Sequence, residues 1–116
     1  MRFLSSPCLF TTSLIVESSP ETYELLTRTL TKLKENLTRL KYVCSVEEHS
    51  YICSSSETLV KIFPLPHGLE PRVVGEAYQL TIKVVITSVK PGELVQVNDL
   101  VAAVIKGTGL RYRRVD

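Results

Sequence analysis

Apolar and polar positions follow two different rhythms along this chain. Tyr23, Leu26, Leu30, Leu33, Leu37 and Leu40 recur at spacings of 3, 4, 3, 4 and 3, the interval that stacks side chains on one face of an α-helix. The spacing predicts a helix over residues 20–41. Ser19 supplies an N-cap, Pro20 suits the first turn, and Glu21 and Glu24 complement the helix dipole there. Lys32, Lys34, Arg39 and Lys41 do the same at the other end. Glu24–Arg28 and Glu35–Arg39 sit i to i+4 in the favourable order, so the polar face is self-satisfied.

A period of two governs most of the rest. Residues 8–17, bounded by Pro7 and Ser18-Ser19-Pro20, are β-branched and aromatic and read as a strand. Residues 42–54 read as a hairpin turning at Glu48-His49, with Glu47 opposite Ser50, Val46 opposite Tyr51 and Cys44 opposite Cys53. That register gathers Tyr42, Cys44, Val46, Tyr51 and Cys53 on one face and Ser45, Glu47, Ser50 and Ser54 on the other. Thr58 to Phe63 continues the meander. Residues 64–71, with three prolines and a glycine, predict a connection. Tyr78, Leu80, Ile82, Val84 and Ile86 then mark a long half-buried strand, and Lys90-Pro91-Gly92 a turn. Leu94–Val97 and Leu100–Lys106 read as short strands about Asn98-Asp99. The run from Leu100 to Ile105 is apolar on both faces, as in a central or barrel strand. Leu110–Val115 completes the set as an edge strand.

The expected fold is therefore α+β, a single domain over residues 1–116. One long amphipathic helix packs on an antiparallel sheet, or on a small partly open barrel, of about 6–8 short strands. Composition agrees: 116 residues, 44% hydrophobic and 22% charged, fill one core and exclude wholesale disorder. No apolar run approaches the ~18–20 residues that span a bilayer, so no membrane association is expected. Near the N-terminus, Ser5, Ser6, Pro7, Thr11, Thr12 and Ser13 interrupt any secretory apolar region, which makes a cytoplasmic location the expectation. Gln and Asn number four together and Met1 is the only methionine, a thermophile-like economy that the charged fraction does not share.

Net charge is +2, unevenly spread. Residues 1–40 carry five basic and four acidic groups, residues 41–76 three and five, and residues 77–116 six and three. The C-terminal excess is concentrated in Lys106, Arg111, Tyr112, Arg113 and Arg114. Such cations neutralise phosphates and an adjacent tyrosine stacks on an unpaired base, which makes the five a candidate nucleic-acid site. A basic edge strand that resists unwanted pairing has the same composition.

Candidate chemistry is sparse. Cys8, Cys44 and Cys53 form no C-x-x-C pair, and His49 and His67 lack ligand spacing, so neither metal nor cofactor is expected. Facing each other across the hairpin, Cys44 and Cys53 are a candidate disulfide; as reduced thiols they are small apolar core residues. There is no nucleophile elbow, phosphate-binding glycine loop or H-E-x-x-H motif, so no catalytic residue is named. A small hydrolase-like enzyme using His49 or His67 is the third-ranked reading. Residues Lys90–Val101 (KPGELVQVNDLV) resemble a half-motif of biotinyl and lipoyl carrier domains, in which two short strands are separated by small or Asx turn residues. Asn98 stands where the second glycine belongs and the Met-Lys-Met context is missing, so the likeness is read as shared turn chemistry.

One helix covers one face of a sheet, and strands apolar on both faces need further cover. The leading expectation is thus a non-enzymatic accessory protein, binding a protein partner or itself, as a homodimer or as a subunit of a larger complex. The leucine stripe from Tyr23 to Leu40 is a candidate helix interface, although its ordinary use is as the lid of its own sheet. Binding of RNA or single-stranded DNA through the basic C-terminal segment, helped by Lys83 and Lys90, is the alternative.

Overall fold

A computed structural model describes residues 9–18, 23–47, 50–65, 72–74 and 77–115. The chain runs β1 (Phe10–Ser18), α1 (Tyr23–Arg39), β2 (Val43–Glu47), β3 (Ser50–Ser54), β4 (Thr58–Leu65), β5 (Arg72–Val74), β6 (Ala77–Ser88), α2 (Pro91–Gly107) and β7 (Arg111–Val115). The strands form an open antiparallel sheet in the order β2-β3-β4-β6-β1-β7, with the short β5 paired to the start of β6. All pairings are antiparallel.

Register assigns every strand residue to one of two faces. Leu14 lies opposite Val84, Val16 opposite Ile82, Ile62 opposite Val84, Val60 opposite Ile86 and Cys53 opposite Val60. These side chains are all buried, and Leu26, Leu33 and Leu37 of α1 with Val97, Val101 and Ile105 of α2 close over them. α2 lies against β6, β1 and β7, and α1 against β2 and α2. The intervening residues of each strand form the second face, which no described element covers. Leu33 and Leu37 are 1% and 0% exposed, and truncating either to alanine would cost about 2–5 kcal/mol.

Both helices end in the same way. Tyr42 N–H donates to Leu37 O and Lys41 N–H to Thr38 O. Leu110 N–H donates to Ile105 O and Gly109 N–H to Lys106 O. Each pair is a Schellman closure around one left-handed residue, Lys41 at φ 73° and Gly109 at φ 88°. Each turn feeds directly into an edge strand, β2 after α1 and β7 after α2. The Thr29 and Thr108 hydroxyls, 2.5 Å apart, join α1 to the end of α2.

Several expectations are met. The hairpin has the expected pairs, Cys44 with Cys53 and Val46 with Tyr51. Leu26, Leu33 and Leu37 face the core, and β7 is an edge strand. The Ser19-Pro20-Glu21 start signal, the Glu48-His49 turn, Cys8 and His67 lie outside the described residues, as does the side chain of Tyr23.

Other expectations are corrected. The sheet is open, not a barrel, and two helices cover it. The supposed strands 94–97 and 100–106 are one helix, α2. Pro91, read as a turn residue, occupies the start of the helix, where its missing N–H costs nothing. Leu94, Val97, Val101 and Ile105 recur every three or four residues and meet the core, so tertiary burial overrides the β-preference of valine and isoleucine. Asn98 and Asp99 are helical too, which removes the basis of the carrier-domain likeness. Pro64 and Leu65, assigned to a connection, extend β4 opposite Ile82 and Thr81. The β3–β4 register ends at Tyr51 opposite Ile62, so Pro64 sits where the strand has become an edge and its lost donor is tolerated.

Candidate functional site

Two surfaces stand out, one at the β2 edge and one on the uncovered sheet face. Among the described residues β2 pairs only with β3, leaving the outer backbone groups of Val43–Glu47 unpaired. Val43 and Val46 are 74% and 63% exposed on opposite sides of this strand, and Leu40, just before it, is 52% exposed. The disulfide between Cys44 and Cys53 ties the edge strand to its neighbour.

Beside this edge, Leu40, Tyr42, Glu93, Gln96, Val97 and Leu100 line a groove of about 330 Å³ between the end of α1 and the start of α2. Tyr42 Oη donates to Glu93 Oε1 at 2.7 Å, and Ser55 Oγ donates to the same oxygen at 3.3 Å. The Tyr42 hydrogen bond holds the Glu93 carboxyl below its ordinary value, with Thr58, Ser55 and Lys90 adding to it against some desolvation. Burial, then the hydrogen bond to Glu93, pushes the Tyr42 phenol up. Ser55 Oγ also accepts from Thr58 N–H at 3.1 Å, and Ser88 Oγ accepts from Lys90 N–H at 3.0 Å. This network fastens the first turn of α2 to β2 and β4. Each of its hydroxyls has a hydrogen-bond partner.

The uncovered face has a different chemistry. Register lines up Phe63, Lys83, Ile15 and Arg113 across four adjacent strands, with Lys61, Val85, Ser13 and Val115 in the next row. On the far side, Thr81, Glu17 and Arg111 align. Lys61 Nζ stands 5.5 Å from the centroid of the Phe63 ring. Arg113 Nε lies 3.7 Å from Glu17 Oε1, with both side chains solvent-exposed.

The structure divides the basic C-terminal segment. Arg111 and Arg113 face the open side with Lys61 and Lys83. Tyr112 and Arg114 point to the helix side, where Tyr112 is half-buried against the core, and Lys106 is exposed on the last turn of α2. Lys90 is engaged with Glu57 at 3.0 Å. Of the leucine stripe, Leu26, Leu33 and Leu37 serve the chain's own core, Leu30 packs against it, and Leu40 stays exposed. Sequence reading missed Lys61, Phe63 and Glu93. Alternation alone puts Lys61 and Phe63 on one face, but only the strand order brings that face to Lys83 and Arg113.

Among the described residues no group of three or more His, Cys, Asp or Glu is placed to hold a metal ion, and no helix is long and apolar enough to cross a membrane. No family model, curated protein or solved structure matches this chain.

Proposed function

We propose that this chain acts by protein–protein contact rather than by catalysis, as a homodimer, and that β2 is its contact strand. In the sequence, the case for association rests on more apolar strand surface than one helix can bury, with residues 100–106, read as a strand apolar on both faces, as the example. Those residues belong to α2, which buries one stripe and covers the sheet, so that ground falls away. The observation that supports association instead is the unprotected edge: a strand that, among the described residues, pairs on one side only, carries two exposed valines and is preceded by an exposed leucine. Such edges invite pairing with another strand.

A second copy is the partner that fits with least change. Antiparallel pairing of β2 with its own copy is self-complementary about a twofold axis normal to the sheet. It satisfies the outer backbone groups on both strands and sets the two helix layers on the same side. Leu40 and Val46 of both protomers then lie along the seam.

Light scattering coupled to size-exclusion chromatography at tens of micromolar tests this. The expected mass is that of a dimer, and the variant Leu40→Glu/Val46→Glu is expected to elute as a folded monomer with an unchanged circular dichroism spectrum. A monomeric wild-type chain, or a variant that stays dimeric, would overturn the reading.

A further inference from the structure

We infer that the uncovered sheet face binds single-stranded nucleic acid, through the phosphate-neutralising cations Lys61, Lys83, Arg111 and Arg113 and the ring of Phe63. The inference is independent of dimerisation, since all five residues belong to one chain and face away from the helices.

Charge complementarity carries it. Four cations from three strands converge on one face whose central acidic side chain, Glu17, is already held by Arg113. Phosphates attract such a surface without regard to sequence, releasing condensed counterions as they bind. Strand spacing puts Phe63 and Arg113 about 14 Å apart, a span of a few nucleotides. Phe63 is half-buried in the sheet with Lys61 Nζ over its ring, so an unpaired base that takes the place of the ammonium on the ring frees that cation for the adjoining phosphate. Thr11, Ser13, Thr81 and Thr87 share this face and offer hydroxyls to the backbone. A duplex is a poorer match, because a shallow open sheet presents nothing that enters a groove.

This placement differs from a purely C-terminal site. Arg114 and Tyr112 lie on the opposite face, and Lys106 on a helix, so none of the three belongs to the proposed surface.

The test is fluorescence anisotropy with a labelled 12-nucleotide oligouridylate, its deoxy counterpart and a labelled 12-residue polyglutamate. Micromolar binding of the oligonucleotides is expected at 50 mM salt, weakening about fifty-fold by 200 mM if four contacts each contribute to the single-strand slope. Lys83→Gln/Arg111→Gln/Arg113→Gln is expected to lose at least tenfold, Phe63→Leu about tenfold, and Arg114→Gln nearly nothing. Glu17→Gln is expected to tighten binding a few-fold, because it removes the only carboxylate in the Arg113 ion pair; a general loss of structure would not do this. Circular dichroism confirms that each variant is folded. Absent binding at 50 mM salt, binding that survives the triple substitution, or equal capture of polyglutamate would each overturn the inference. Binding by monomeric Leu40→Glu/Val46→Glu that matches wild type would support it, and would separate its fate from that of the dimer.

Discussion

The sheet has two edges, and they are built on opposite plans. β2 and β7 are both five-residue strands, each reached from a helix through a Schellman turn and each, among the described residues, paired on one side only. β7 reads Arg-Tyr-Arg-Arg-Val, so cations stand on both of its faces and discourage a further strand from docking. β2 reads Val-Cys-Ser-Val-Glu, exposes both valines, and is cross-linked to β3. The turn before β7 has Gly109 in the left-handed position, where glycine is unstrained; the turn before β2 has Lys41. One edge is lined with cations and entered without strain. The other exposes apolar side chains, is cross-linked to its neighbour and is entered through a strained residue.

The largest way to break this contrast is to remove the covalent bond. Cys44→Ser/Cys53→Ala is expected to lower unfolding free energy by about 2–3 kcal/mol, the loop-closure value for a short loop. Hydrogen exchange would show the loss concentrated in β2 and β3, with β7 still protected. Equal loosening of both edges would mean that the cross-link stabilises the molecule globally.

Tyr42→Phe is next, at about 1–2 kcal/mol, because it removes the hydroxyl that fastens the start of β2 to α2 through Glu93. Its pH dependence is fixed in sign. The Glu93 carboxyl is held below its ordinary value, so its contribution is full above the unfolded carboxylate range and disappears as pH falls through the lowered value. Urea melts of wild type and variant should therefore converge on acidification. A gap that persists or widens at low pH would show that Tyr42 acts by packing alone.

Lys41→Gly sharpens the comparison by making the two turns alike. It is expected to stabilise the protein by up to about 1 kcal/mol, the left-handed cost of a side chain, read as a rise in denaturation midpoint. The smallest effect on stability, within about 0.5 kcal/mol, is expected from Arg111→Val/Arg113→Val/Arg114→Val. Its consequence appears in solution state: light scattering should report higher-order association of the variant through the β7 edge, beyond the dimer expected of wild type.

What the sequence reveals varies by element. The leucine period of α1 and the alternation in the 42–54 hairpin are local, so helix, register and the Cys44–Cys53 juxtaposition are legible without a fold. α2 is not. Its apolar run is rich in valine and contains Asn98-Asp99, and a buried helix and a buried strand look alike when most positions are apolar. Only packing between α1 and the sheet chooses between them. Glu93 shows the same limit, since its partner Tyr42 lies far away in the chain and meets it only after α1 and α2 dock.

By itself the sequence determined the α+β class, the amphipathic lid, the pairing of the central hairpin and which strand residues share a face, because these depend on neighbours a few positions apart. Tertiary structure alone decided that β7 returns beside β1, that both helices lie on one side, and that Lys61, Lys83 and Arg113 therefore look outward together. Strand order depends on closing long loops against a common core, and no local spacing encodes that.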